Sequence, residues 1–221
     1  MNIAALIPVK GFAHAKQRLA QLLTAAERAF LAEAMLKDTL RQTLAAPDLA
    51  ATFVVTSDPQ VAAIASSFGA RIIWQEAESG ETQAVDFARA QLKQQGFQTT
   101  LILPADIPLL QSADIELLLA YPLSSPGALL VPSHDRLGTN ALLLSPPDII
   151  QLRFGYDSFT YHLKQVALRG LTQRTLENER IALDVDEPSD LMRLLELARS
   201  GETHQYLLGL KITQRAIEQR F

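Results

Sequence analysis

The 221-residue sequence predicts an α/β fold of three layers: a Rossmann-like, mostly parallel sheet with helices on both faces. Three observations predict it. Short apolar runs alternate with helical patterns from end to end, as chains of βαβ units do. The helical stretches carry their own start and stop signals. One apolar run, residues 101–103, halts at Pro104-Ala105-Asp106-Ile107-Pro108. That places a carboxylate at the carboxyl end of a strand, where open sheets bind ligands.

The elements follow in order. Residues 3–9 (IAALIPV) read as a first buried strand. Thr24-Ala25-Ala26-Glu27 is a capping box and opens a helix to about residue 44, closed by Pro47. Residues 52–56 (TFVVT) form a second strand, after which Asp58 and Pro59 start a short helix that Gly69 ends. Residues 71–74 (RIIW) are a third strand, and residues 82–95 a helix stopped by Gly96. Residues 99–103 make the fourth strand, and Ser112 caps the helix after it. Apolar runs at 129–132 and 141–144 flank a polar loop. Residues 158–169 are helical, 181–185 (IALDV) a strand, and 188–199 the last helix of the domain. The domain spans residues 1–200. The tail, 201–221, carries Tyr206, Leu207, Leu210, Ile212, Ile217 and Phe221, and is expected to pack on the domain or on a neighbouring subunit.

Composition narrows the function. With 48% hydrophobic and 20% charged residues the chain is an ordinary globular protein. A net charge of −4 gives no global field for nucleic acid or for a membrane surface, so a polyanionic ligand must be met by local cations. The absence of cysteine excludes a disulfide scaffold and thiolate chemistry. Residues 1–7 are too short for a signal sequence and lack its basic start, and no run approaches the ~18 apolar residues of a membrane span. A cytoplasmic protein is expected.

Four groups of residues carry chemistry, each at a strand end or in the loop after it. The first is Lys10-Gly11-Phe12-Ala13-His14-Ala15-Lys16-Gln17-Arg18, where a dinucleotide-binding protein would have G-x-G-x-x-G. Three cations at the crevice mouth suit a triphosphate; the alternative is solvated surface charge. The second is Asp106, a natural Mg²⁺ ligand or a turn aspartate. In the third, Gly138-Thr139-Asn140 offers a hydroxyl, an amide and backbone N–H groups, and Gly155 and Ser158 stand at a helix start. Those residues hold an anion, or else serve as a turn and an N-cap. The fourth is Asp184-Val185-Asp186-Glu187-Pro188. Strand alternation points both aspartates to one face, where a cation would relieve their repulsion. Asp186 is expected to join Asp106 around Mg²⁺, and Asp184 to cap the helix. The four histidines show no metal-binding spacing, and no serine sits in a nucleophile elbow.

IPVK with Lys16 and Arg18, PADIPLL, GTNALLL, FGYDSFTYH and LDVDEPSDL together resemble the phosphoenolpyruvate/2-phospholactate/3-phosphoglycerate guanylyltransferase family of deazaflavin-coenzyme biosynthesis. That family is related to the molybdenum-cofactor guanylyltransferases. The resemblance runs over residues 2–195 and implies a GT-A-like nucleotidyltransferase fold. It implies transfer of GMP from GTP to a C3 phospho-acid, phosphoenolpyruvate or 3-phosphoglycerate ahead of 2-phospholactate. Asp106 and Lys16 would be catalytic, and Asp106 and Asp186 would hold Mg²⁺. Pro8, Val9, Lys10, Lys16, Arg18, Gly80 and Gln83 would bind the nucleotide, and Thr139, Asn140, Gly155 and Ser158 the acceptor. A homodimer through the tail is a further expectation, and the labile product would favour a transient contact with the downstream deazaflavin transferase. Relatives carry a Gly-Leu-Asn-x-Ala segment where this chain reads Gly80-Glu81-Thr82-Gln83-Ala84, which loosens the expectation for guanine. The competing expectations are a molybdopterin or sugar-1-phosphate nucleotidyltransferase, and a nucleotide sensor without catalysis.

Overall fold

The computed structural model describes residues 2–218. Seven strands form one sheet: β1 (Ile3–Pro8), β2 (Ala51–Thr56), β3 (Arg71–Trp74), β4 (Thr99–Ile102), β5 (Gly127–Pro132), β6 (Thr139–Ser145) and β7 (Thr172–Thr175). Their order is β3-β2-β1-β4-β6-β5-β7. Every neighbouring pair is parallel except those of β6, which runs against both β4 and β5. The chain winds outward from β1 to β3 and then returns to lay β4 on the other side of β1. The crevice of an open sheet lies at such a reversal.

Alternation along the strands builds the layers. Ile3 and Ile7 of β1, Leu101 of β4, and Leu129 and Val131 of β5 face one core. Ala4, Leu6, Ile102, Ala128 and Leu130 face the other. Helices α1 (Ala25–Ala45), α2 (Pro59–Phe68) and α4 (Ser112–Ala120) cover the first face, while α3 (Glu81–Gln94) and α5 (Ser158–Leu168) cover the second. Local chemistry sets the helix ends. Thr24 and Glu27 form the capping box of α1, Asp58 accepts from Gln60 and Val61 at the start of α2, and Gly69 ends α2 at φ 100°.

Three expectations are corrected. Residues 181–185 are not a strand: the helical turn α6 (Glu179–Ala182) runs into irregular chain. Asn178 caps that turn, and Asp114 of α4 grips both Asn178 and Arg180, so polar partners fix the segment as a turn. Its apolar run is buried all the same, because Leu183 and Val185 pack with Leu19, Leu23 and Leu31 in a third cluster. The strand that sequence missed is β7, a polar edge strand (TQRT) with no apolar run to betray it. Helix α4 is capped by Gln111 and not by Ser112, whose N–H goes to Gln42.

Beyond α7 (Pro188–Leu197), helix α8 (Glu202–Gly209) lies against α1, and α9 (Ile212–Glu218) is tied to α1 by the Arg215–Glu27 ion pair. Asp38 of α1 accepts from the N–H groups of Glu202 and Thr203, which otherwise lack partners in the first turn of α8. Leu207 and Ile212 are buried against Leu31 and Met35. Phe221, named among the tail's apolar residues, lies outside the described residues. No described helix is long and apolar enough to cross a membrane.

Candidate active site

The connections after β1 and β4 diverge at the reversal and bring Lys16 and Asp106 together. After β1 the chain makes two short 3-10 turns, Phe12–His14 and Gln17–Leu19, joined through Lys16 at φ 51°. A left-handed non-glycine residue is uncommon. Here it stands where the side chain is only 10% exposed and its ammonium bonds both Asp106 Oδ2 and, at 2.8 Å, Asp186 Oδ1. Burial alone would lower the Lys16 pKa; the two carboxylates beside it outweigh that and hold it above the ordinary lysine value. Asp186 is likewise held below its usual range: burial opposes this, and the charge of Lys16 prevails.

These residues form one wall of a cavity of about 700 Å³, within the size range of small-ligand sites. Pro8, Val9, Lys10 and Gly80 also line it. Gly11 lies where the chain passes the α2 cap so closely that a Cβ would sit 2.5 Å from Asp58 Oδ2. Two named nucleotide residues do not reach the cavity wall. Arg18 is 70% exposed, at 3.9 Å from Asp186 and 3.7 Å from Glu187, and Gln83 is exposed on α3.

Two carboxylates go beyond the sequence reading. Glu81, the first residue of α3, lines the cavity, and its pKa rises to about 7, first through burial and then through the charge of Asp106. Asp184 rises to about 6 for the same two reasons. It does not cap α7, whose start is closed by Glu187 and Asp190; it accepts from Asn140 Nδ2 at 3.0 Å. Irregular chain, and not strand alternation, thus aims Asp184 and Asp186 at the same neighbourhood.

The donor set suits a hard divalent cation. Asp106 Oδ1 is buried with no hydrogen-bond partner, and the surrounding carboxylates exceed the cations that neutralise them. Among the described residues no three acidic or histidine side chains enclose a metal by themselves. Asp106 and Asp186 are therefore the pair that would hold an ion, with phosphate oxygens completing its shell.

The second group lines no part of this cavity but is tied to its surroundings through Asn140, which bonds Asp184, and Phe154, which bonds Thr82. Because β6 runs against its neighbours, its first residue, Thr139, emerges at the same sheet end as the carboxyl termini of β1 and β4. Gly155, at φ 98°, turns the chain into α5, and Asp157 at φ 55° is its N-cap. Ser158 is therefore the first helical residue and not the cap; its hydroxyl lies 3.4 Å from Thr139 Oγ1. Thr139 Oγ1 also lies 3.0 Å from His162 Nδ1. Asn140 faces inward, its amide donating to Ile181, Ala182 and Asp184, so it holds the Asp184 segment in place. The backbone N–H of Phe154 bonds Thr82 of α3, which joins this loop to the residue after Glu81.

His162 was not singled out by spacing. It is fully buried, and burial, with Arg153 and Arg89 nearby, pushes its pKa down to about 4. The unfolded chain takes up a proton near pH 6.5 that the fold refuses until about pH 4, so this stabilisation is complete above pH 6.5 and is lost as pH falls to 4. It amounts to about 3 kcal/mol. Wild type should therefore lose about 2–3 kcal/mol more stability than His162→Gln between pH 7.5 and 4.5, measured by denaturant melts. An equal loss in both proteins would contradict a neutral His162.

Comparison with known proteins adds the family. A model described as "Guanylyl transferase CofC like" matches residues 3–219. A phosphoenolpyruvate guanylyltransferase of Rubrobacter xylanophilus is 38% identical over 194 residues, 88% of this chain and 94% of that one. A 3-phospho-D-glycerate guanylyltransferase of Colwellia psychrerythraea is 35% identical over 93% of this chain and 96% of its own. A 2-phospho-L-lactate guanylyltransferase of Methanothermobacter thermautotrophicus is 33% identical over 96% of this chain and 93% of its own. Among solved structures, a Desulfovibrio desulfuricans G20 protein described as a nucleotide-diphospho-sugar transferase superposes with a TM-score of 0.79 at 18% identity. It covers 97% of this chain and 99% of that one, a likeness of fold.

Proposed function

The chain belongs to the CofC-like guanylyl transferase family, and on that premise we propose that it transfers GMP from GTP to a three-carbon phospho-acid, releasing diphosphate. The observation that carries this reading is the joining of Lys16, Asp106 and Asp186 on the wall of a cavity, with the Thr139–Ser158 hydroxyl pair at the same end of the sheet. One side suits a triphosphate and the other a small anion.

An oxygen of the acceptor phosphate attacks the α-phosphorus. A new P–O bond forms, the bond from the α-phosphorus to the bridging oxygen breaks, and its electron pair leaves with diphosphate. A phosphomonoester has its second pKa near ~6, so the nucleophile is already ionised at neutral pH and needs no general base. The residues therefore supply position and charge. Lys10 and Lys16 neutralise phosphate oxygens, and Gly80 leaves room at the start of α3. Thr139, Gly155 and Ser158 hold the acceptor. Asp106 and Asp186 would hold Mg²⁺, and the ion would supply charge neutralisation at the α-phosphate.

The acceptor is phosphoenolpyruvate or 3-phosphoglycerate ahead of 2-phospholactate, and the product feeds deazaflavin-coenzyme assembly. The test is diphosphate release with GTP, and with ATP and CTP as controls, offering these three acids and glucose-1-phosphate in parallel. Release with one C3 acid and GTP is expected. Release only with the sugar phosphate, or GTP binding with no release, would overturn the proposal.

A further inference from the structure

We propose that His162 is a positioning residue that fixes the Thr139 hydroxyl as a hydrogen-bond donor toward an anionic oxygen of the acceptor. The inference rests on the acceptor role just proposed for Thr139 and assigns the device that makes it work.

The direction of the His162 bonds follows from one group that cannot be reversed. The backbone N–H of Arg153 lies 3.2 Å from His162 Nε2, and a peptide N–H only donates, so Nε2 is an acceptor. In a neutral imidazole the proton then sits on Nδ1. The ring faces Thr139 Oγ1 at 3.0 Å with that proton, so His162 donates to the threonine. The Ser158 hydroxyl is directed at the same oxygen from 3.4 Å. A hydroxyl has two lone pairs and one hydrogen. His162 takes one lone pair, and with Ser158 donating to the other the Thr139 hydrogen points away from both residues, where among the described residues no further acceptor meets it. It is a donor waiting for a ligand oxygen.

The opposite tautomer would reverse the sense. Thr139 would give its hydrogen to the ring and turn a lone pair to the ligand, repelling a phosphate or carboxylate. The ring has little freedom to change: it is fully buried, edge-on to Phe154 at 5.4 Å and to Tyr161 at 5.9 Å. The ring that sets the donor therefore never touches the acceptor.

Steady-state kinetics test this with the phospho-acid varied at saturating GTP, in wild type, His162→Phe, His162→Gln, Thr139→Val and the His162→Phe/Thr139→Val double variant. Phenylalanine keeps the ring packing without donor or acceptor; glutamine keeps one of each. His162→Phe is expected to raise KM for the phospho-acid by about tenfold or more, with KM for GTP unchanged and kcat nearly so. His162→Gln should recover most of that loss. In the Thr139→Val background His162→Phe should add nothing, because the hydroxyl it orients is gone. Additive effects, equal rises in both KM values, or a folded His162→Gln no better than His162→Phe would overturn the inference. Nitrogen-15 NMR of the wild-type imidazole gives a readout independent of turnover. Protonated Nδ1 with bare Nε2 is expected, and the reverse overturns the inference. A wild type that shows the expected tautomer but releases diphosphate with no phospho-acid would overturn the proposed activity instead, and with it the acceptor role given to Thr139.

Discussion

Replacing Asp106 by alanine is expected to lower kcat by at least about 10³-fold at saturating GTP, phospho-acid and Mg²⁺, about 4 kcal/mol of lost transition-state stabilisation. Two roles disappear at once. Asp106 Oδ2 anchors the Lys16 ammonium, and the partnerless, buried Oδ1 is the oxygen proposed to take a cation. Asp106→Asn separates charge from shape. It keeps the volume and one oxygen but removes the negative charge that offsets Lys16, so it should fall nearly as far. Both variants should keep the fold, because Asp106 lies in a loop and its backbone carbonyl still accepts from Val185. An Asp106→Ala enzyme within tenfold of wild-type kcat would refute the assigned role.

Lys16→Met should lose activity on a similar scale and, unlike the Asp106 variants, should change how the protein answers to Mg²⁺. In the free protein the ammonium neutralises Asp106 and Asp186 together. Removing one partner of a largely buried ion pair leaves uncompensated charge and costs about 3 kcal/mol. For a chain of this length that is a fall in Tm of roughly 6–12 °C. A divalent cation can fill the vacancy in the variant, whereas in wild type it must share the carboxylates with lysine. Added Mg²⁺ should therefore raise the Tm of Lys16→Met more than that of wild type. Equal Mg²⁺ shifts would show that lysine and metal do not share these carboxylates.

The parts of this fold that were legible in sequence are those set by local chemistry. The Thr24–Glu27 capping box, the Asp58-Pro59 start, the Gly69 stop and the apolar runs of β1, β2 and β4 each act within a few residues. Asp106 was legible because two prolines and a strand end frame it. The sheet's far edge was not. β7 is polar because an edge strand with half-exposed side chains needs no apolar run, and 181–185 looked like a strand because Leu183 and Val185 are buried in a cluster away from the sheet. The site divides in the same way. Charges in loops stood out, but the field of Asp106 at Glu81 and the meeting of His162 with Thr139 join residues 25 and 23 positions apart. Such encounters depend on how α3 and α5 lie on the sheet, which no local pattern encodes. Arg18 and Gln83 show the converse, since a motif names them and the fold leaves them at the rim.

The reversed strand β6 has a consequence for how such a protein changes over time. On the roles proposed above, it draws the acceptor residues from a contiguous stretch, Thr139 to His162, while the residues proposed for the nucleotide come from the loops after β1 and β4 and the start of α3. Mutations that reshape the acceptor pocket can therefore accumulate in one short cassette without touching the charges that activate the nucleotide. A scaffold so divided can trade one phospho-acid for another by drift in a single segment, its chemistry inherited intact.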